Sequence, residues 1–498
     1  MLNIFGFVVL LGYPFFVLAL YQFLSPRRAC LIAFLTAIMF LPDGPQARVQ
    51  FHGIIDLNKI TAASFSVLLA TLLFDINRIL RFRPRIWDIP MLLWTIAPMF
   101  SSLSNHLGVY DGIASIVNLW IAAWGVPYFL ARIYFDDLES ARDLAFALVA
   151  GGLIYVPLCL WEIRMSPQLH REIYGYYQAA FIQARRENFF RPTVFMQHGL
   201  AVSMFLTAAA IAALGLWLAG VRDKKIFGLN MFRAAVLLTV VTVACQSMTA
   251  TVCLFGGILT LTLTRAMRSP VPLIILMLVP AAYMISRATG LFSGEALVHQ
   301  IARIDFDRAD SLNTRLVNEN KFVDKAREQL VFGYGSTNWF PRDPVTGRFI
   351  GIPDGLWIVV LGKHGLFGLV NLTLAGMVPI LVLLRRRQTW NLSSLPAPVL
   401  LGWVPVIGQI WLISWLWGQI RRPSAWPLMW VAGLAVVMTL HMCDNMLNAM
   451  PDPIFALAAG SVVTLCTRRD LNLNAAESGN PNSITATQSP RRLWRPDG

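Results

Sequence analysis

Apolar residues gather in runs along most of the chain, separated by short polar stretches that carry most of the arginines. Crossing a bilayer core takes about 20 apolar residues in helical form, with roughly 17–25 as the usual range. Runs near that length cover 3–23, 59–74, 87–103, 113–131, 144–161 and 199–218. Others follow at 232–246, 249–264, 270–286, 365–384, 425–447 and 453–466. The run 29–40 is short, but Arg27-Arg28 and Leu41-Pro42 frame it, and it reads as a further span. Segment 396–418 is long enough but contains Pro396, Pro398 and Pro405, so spanning and re-entrant readings compete. The pattern predicts an all-α, polytopic transmembrane helical bundle of about 12–14 spans. The first run is too long for a signal-peptide core and lacks a basic segment before it, so it is expected to persist as a membrane helix.

Short loops rich in Arg and Lys should face the cytoplasm. The clusters are Arg27-Arg28, Arg78 to Arg85, Arg132 with Arg142, Arg222 to Arg233, Arg265 with Arg268, and Arg385-Arg386-Arg387. They fall in alternate loops, as one orientation requires. Arg421-Arg422 breaks the alternation if 396–418 spans and keeps it if that segment is re-entrant, which is the preferred reading. The expected organisation is N-terminal spans over 1–161, a long outer segment over 162–198, and central spans over 199–286. A large outer loop over 287–364, C-terminal spans over 365–467 and a disordered cytoplasmic tail over 468–498 complete it. Long loops in compact proteins are usually functional, so the two outer segments are where chemistry is expected. The tail's Arg491-Arg492-Leu493-Trp494-Arg495 can touch anionic lipid headgroups, although a solvated end is the simpler reading.

Composition agrees with the pattern. Of 498 residues, 56% are hydrophobic and only 14% charged, with a mean hydropathy of +0.58. Such a chain cannot be a soluble domain or a disordered one. The net charge of +14 is scattered between apolar runs instead of forming one patch, which argues against a nucleic-acid partner. It falls on the loops assigned inside, so it reports orientation. The six cysteines lie within or at the ends of apolar runs, without a CxxC or a His/Cys cluster, so neither an outer disulfide nor a metal is expected.

Several polar residues sit where a span meets an outer segment. Arg191 precedes the helix expected from Gly199 and can clamp a phosphate through two parallel hydrogen bonds or snorkel to lipid headgroups. His198 reads first as a polar residue at a helix start and second as a base. An amphipathic helix is expected over 311–331, burying Leu316, Val323, Ala326 and Leu330 and closed by Phe332-Gly333-Tyr334-Gly335. Within it Arg315 and Glu319 are one turn apart, so an intrahelical ion pair is the plain reading of Arg315. Asp305-Phe306-Asp307 has the DxD form that holds a metal and a nucleotide sugar, but short acidic pairs are common on solvated faces. Asp354 is placed to cap a short helix, or to act as a general base or orienter of an acceptor hydroxyl. His364 is expected to be interfacial or structurally buried. Asp444, in His441-Met442-Cys443-Asp444-Asn445-Met446-Leu447-Asn448, is expected to cap or bond between helices, with a functional role as the alternative.

These landmarks together resemble the O-antigen ligase and polymerase superfamily of bacterial envelope biosynthesis. The resemblance is strongest from Thr314-Arg315, through Phe332-Gly333-Tyr334-Gly335, to Asp354-Gly355-Leu356-Trp357 and Gly365-Leu366-Phe367-Gly368. Phe190-Arg191-Pro192, Gln197-His198-Gly199 and Asp444-Asn445-Met446-Leu447-Asn448 look like weaker landmarks of the same family. The resemblance implies an inner-membrane enzyme transferring glycan, at the periplasmic face, from an undecaprenyl-diphosphate-linked donor to a glycan or lipid-linked acceptor. It implies neither metal nor other cofactor. Arg191 and Arg315 match the arginines that hold the donor diphosphate, with His198 and Asp444 as supporting residues. Ligases of this family place a His where Asp354 stands, followed by Asn; here Asp-Gly replaces them. That departure shifts weight from ligation onto lipid A toward polymerisation of repeat units. A transporter or flippase would show inverted repeats and buried midplane charges. An enzyme using polyprenyl-phosphate sugars would carry an acidic pair in the first outer loop, and Asp43 and Asp56 are too far apart to form one.

Overall fold

The computed structural model describes residues 2–51, 55–121, 123–185, 189–221, 224–303, 305–343, 346–349, 351–385 and 429–468. Helix makes up 73% of it, and strand is confined to two short antiparallel hairpins, so the protein is an all-α membrane bundle. In chain order the helices are α1 (Ile4–Phe23), α2 (Pro26–Phe40), α3 (Lys59–Phe74), α4 (Ile76–Leu80), α5 (Ile89–Ser104) and α6 (Gly108–Ile121). Next come α7 (Gly125–Tyr134), α8 (Leu138–Met165), α9 (Leu169–Tyr174), α10 (Gly199–Leu218), α11 (Met231–Ala244) and α12 (Met248–Met267). The last are α13 (Val271–Ala288), α14 (Glu295–Ala302), α15 (Phe306–Arg327), α16 (Leu356–Leu384), α17 (Met429–Asp444) and α18 (Pro453–Thr467). Among the described residues, seven helical segments are long and apolar enough to cross a membrane, and α3, α11, α17 and α18 are shorter apolar helices.

Among the described residues, the apolar runs read from the sequence fall largely on single helices, except 113–131. There the helix breaks into α6 and α7, because Pro127 has no N–H to continue a hydrogen-bond ladder across the junction. Helix α10 forms the axis of the bundle, with 94% of its apolar window buried. Its alanines and glycines let α8, α11, α12 and α17 approach closely, since small side chains are what permit tight helix packing in lipid.

The two ends of the bundle differ in chemistry. At one end the arginines pair with the acids of neighbouring helices. Arg132 grips Asp88 at 2.8 Å and Thr464 at 2.9 Å, Arg27 meets Asp137 at 2.7 Å, and Arg468 reaches Asp136 at 3.3 Å. At the other end the N-terminus of α1 is tied to α9, with Asn3 Nδ2 donating to Ile173 O at 2.7 Å. Helix α16 finishes at the arginine-rich end, where Arg385 lies over Trp87, and α17 begins there, with Met429 O against Gly215 near the end of α10. Segment 396–418, Arg386-Arg387, Arg421-Arg422 and the tail from 469 lie outside the described residues.

Candidate functional site

The residues proposed from the sequence lie at the end of the bundle opposite the arginine pairs, in two groups. One group is built by α15, the start of α16 and the turn after α17. Helix α15 buries Leu316, Val323 and Ala326, as its apolar stripe predicts, whereas Leu330 lies beyond the helix and is 40% exposed. The helix ends at Arg327, earlier than the glycines suggested, because Gly333-Tyr334-Gly335 is used otherwise. Tyr334 N and Gly335 N donate to Gly362 O and Lys363 O, both at 2.8 Å, so the loop docks on α16. In return Leu366 N donates to Leu330 O at 2.7 Å. This pairing requires Gly365, whose φ of +60° kinks α16 and whose hydrogen leaves room for Val331 O, 2.3 Å from where a Cβ would stand.

That lattice fixes Arg315. Its Nη1 donates to Leu447 O at 3.2 Å and to Asn448 Oδ1 at 3.3 Å, and its Nε lies 3.9 Å from Asp354 Oδ2. Asn448 Nδ2 in turn donates to Asp444 Oδ1 at 2.7 Å. The sequence-predicted residues Arg315, Asp354 and Asp444 are therefore brought into one chain of polar contacts. Among the described residues Nη2 of Arg315 has no hydrogen bond, so it keeps donors for an anion. The expected pair between Arg315 and Glu319 is not made, because Glu319 is engaged elsewhere. Nor does Asp354 cap: Gly355 is the N-cap of α16, and no side-chain cap bond forms. Gly355 instead packs against Met446 O, which lies 2.3 Å from where a Cβ would stand, while Leu356 N donates to Asn448 O at 2.9 Å. The Asp354 side chain is 41% exposed. Partial burial pushes its pKa above the usual carboxylate value, and Arg315 opposes the shift without cancelling it.

Sequence reasoning missed the strut beneath this group. Glu319 is buried and accepts from Arg287 Nε at 3.0 Å, Tyr283 OH at 2.9 Å and Trp357 Nε1 at 3.2 Å. Arg287 also donates to Leu316 O at 2.8 Å and Asn320 Oδ1 at 2.9 Å. Tyr283 and Arg287 lie on α13, Glu319 on α15 and Trp357 on α16, so the strut joins the helix carrying Arg315 to the one preceded by Asp354. The available signal was a lone arginine in the last turn of an apolar run.

The second group is built on the segment after α8. Arg191 N donates to Ala184 O at 2.8 Å, and its Nη2 donates to Gln246 O at 2.9 Å. With His198, Tyr177, Gln183 and Thr193 it lines a small open hollow. His198 caps α10, its Nδ1 accepting from Leu200 N at 3.2 Å, and its Nε2 meets Gln183 Oε1 at 3.2 Å. Two further charged groups, Glu162 and Lys59, hold this segment down. Buried Glu162 accepts from Thr193 N at 2.8 Å and Val194 N at 2.7 Å, and buried Lys59 donates to Phe195 O at 2.7 Å beside Asp43 at 3.1 Å. His364 lies on α16 itself, its Nδ1 3.2 Å from Ser101 Oγ and its ring edge-on to Trp94.

No protein-family model matches the chain, and no curated protein matches it. The architecture defines a polytopic membrane protein with a charged site at one end of its bundle.

Proposed function

We propose that the protein is a metal-independent glycosyltransferase of a bacterial inner membrane, working at the outer face. On this reading it polymerises oligosaccharide repeat units carried on undecaprenyl diphosphate. The observation that carries the proposal is the juxtaposition of Arg315 with Asp354, a cation with donors to spare 3.9 Å from a partly exposed carboxylate. Acceptor activation and leaving-group stabilisation need such a pair. In the transfer step the acceptor hydroxyl oxygen bonds to the anomeric carbon of the donor. The bond from that carbon to the diphosphate oxygen breaks, and the diphosphate leaves with the electron pair. The hydroxyl proton passes to Asp354, whose raised pKa makes it a better base than an ordinary aspartate. Arg315 then serves the diphosphate, where charge grows most in the transition state. Arg191, in its own hollow, is the second candidate for the same anion, with His198 beside it and Asp444 orienting Asn448.

Deletion of the protein from its host, followed by analysis of lipid-linked intermediates, tests the proposal. Accumulated single repeat units support a polymerase. Accumulated long chains reassign the enzyme as a ligase acting on another acceptor, and unchanged intermediates remove the transferase reading altogether. Arg315→Ala in the restored strain should reproduce the deletion while the protein remains at normal abundance in the membrane.

A further inference from the structure

The connection between α10 and α11 is a hairpin whose tip runs against local preference. Lys225–Ile226 pairs antiparallel with Leu229–Asn230 around the two-residue turn Phe227-Gly228. Both turn residues have positive φ, +48° at Phe227 and +80° at Gly228. That is the sign pattern of a type I′ turn, which Asn-Gly or Asp-Gly fills most easily. Glycine meets it without strain, but a bulky side chain at positive φ is an outlier. Phe227 recovers nothing by packing into the protein, because it is 69% exposed.

The chain itself places this ring at the edge of the bilayer. Helix α11 starts immediately after the hairpin and carries Phe232, Val236, Val240 and Val243 one turn apart, all exposed. Its other face, with Ala234, Leu238 and Val241, packs into the bundle. The exposed stripe is the lipid-facing one, and it begins in the first turn, so the membrane surface meets the chain at the base of the hairpin. Exposed Lys225 and Arg233 flank that base, and among the described residues neither meets an acid. Lys224 is turned aside, over the ring of Phe146 at 5.0 Å. An acidic soluble partner would match the two cations, but nothing brings it to the level where a lipid-facing stripe starts. Anionic headgroups lie at that level, with acyl chains just beneath them for an aromatic ring.

We propose that this hairpin is a binding surface for anionic phospholipid in the leaflet at the arginine-rich end. Lipid phosphates pair with Lys225 and Arg233, and Phe227 enters the acyl chains beside Phe232. The strained turn holds the ring at the tip, where it reaches the leaflet. The assignment goes beyond the transferase reading and does not depend on it.

The full-length protein in nanodiscs is irradiated with phosphatidylglycerol or phosphatidylcholine that carries a diazirine near the carbonyl end of one acyl chain. Labelled residues are mapped by peptide mass spectrometry, with Val236 and Val240 as the internal reference. Relative to that reference, the hairpin should take label from phosphatidylglycerol at least about fivefold more than from phosphatidylcholine, the effect of one cation at a membrane surface. Raising the salt concentration should shrink the preference. Lys225→Gln combined with Arg233→Gln should remove it while the reference residues are still labelled. Equal labelling of the hairpin by the two lipids in the unaltered protein overturns the assignment, and that comparison needs no variant to fold. Labelled reference residues beside an unlabelled hairpin overturn it too, and leave the tip in water for a soluble partner.

Discussion

Glu319 shows how burial chooses between partners that spacing alone ranks wrongly. One turn from Arg315 on the same helix, it has the geometry for an intrahelical pair worth a few tenths of a kcal/mol in water. It faces inward instead, and there the group able to satisfy it is Arg287, arriving from the end of α13 with only 2% of its side chain exposed. Removing one member of such a pair strands the other charge in a dry place. Glu319→Ala should therefore cost about 3–5 kcal/mol of stability, read as a fall in melting temperature of the purified protein. Glu319→Gln keeps an acceptor and should cost less. The same freeing of Arg315 sets the chemistry of Asp354. A carboxyl whose pKa is raised loses its proton at higher pH than usual, and the basic form is the one needed. If the protein is the transferase proposed, its rate should rise with pH through that pKa and level off above it, with the rising limb displaced above the ordinary aspartate range. Asp354→Asn should lower the rate about 10²–10⁴-fold and erase the limb; an unchanged profile would remove Asp354 from the chemistry.

Among the elements, those set by length were legible and those set by docking were not. Apolar runs predict helices because the bilayer demands a minimum length, and α3 and α10 begin and end where their runs do. The break before α7 comes from one proline inside an otherwise uniform run. The glycines of 333–335 read as a helix stop, yet their backbone groups serve α16, some thirty residues on, a pairing that no local spacing reveals. Nor does any spacing bring Asp354 to Arg315, since both are positioned by the turn at Leu447-Asn448. The kink at Gly365 is the hinge of this docking. Gly365→Ala puts a Cβ against Val331 O at a positive φ and should destabilise by roughly 2–3 kcal/mol, detectable as earlier thermal unfolding. A second element-scale effect concerns α9, where His170 sits buried between Asp43 N and Tyr176 O, with Lys59 and Asp43 the charged groups near it. Burial lowers its pKa from 6.5 to about 4. The folded protein thus resists protonating a group that the unfolded chain protonates readily. The stability gained is present above pH 6.5 and is lost as pH falls from there toward 4. Thermal melts taken across that range should show the decline, and His170→Phe should flatten it.

At the scale of the whole molecule, the two ends of the bundle make a prediction about sidedness that the charges alone make only loosely. Basic clusters in alternate loops suggest an orientation, and the helix order now ties those clusters physically together. Arg27, Arg132 and Arg468 pair with Asp137, Asp88 and Asp136 at one end, whereas Asn3, Lys59, Arg191 and Arg315 are bonded at the other. Because a chain crosses between ends with each pass, the loop between α7 and α8 and the one between α8 and α10 must lie on opposite sides. The arginine-rich end should be cytoplasmic, since short basic loops are retained there. Alkaline phosphatase fused after Asp137 should therefore be inactive, and fused after Gln168 it should be active. The reverse pattern would turn the molecule over and place Arg315 and Asp354 in the cytoplasm, out of reach of the proposed donor displayed outside. Fusions after Arg385 and before Met429 carry the argument to the segment between them. Helix α16 ends and α17 begins at the same end of the bundle, so both fusions should behave like the one at Asp137. Opposite behaviour would require 386–428 to cross an odd number of times, and the order of α17 and α18 would then have to be inverted.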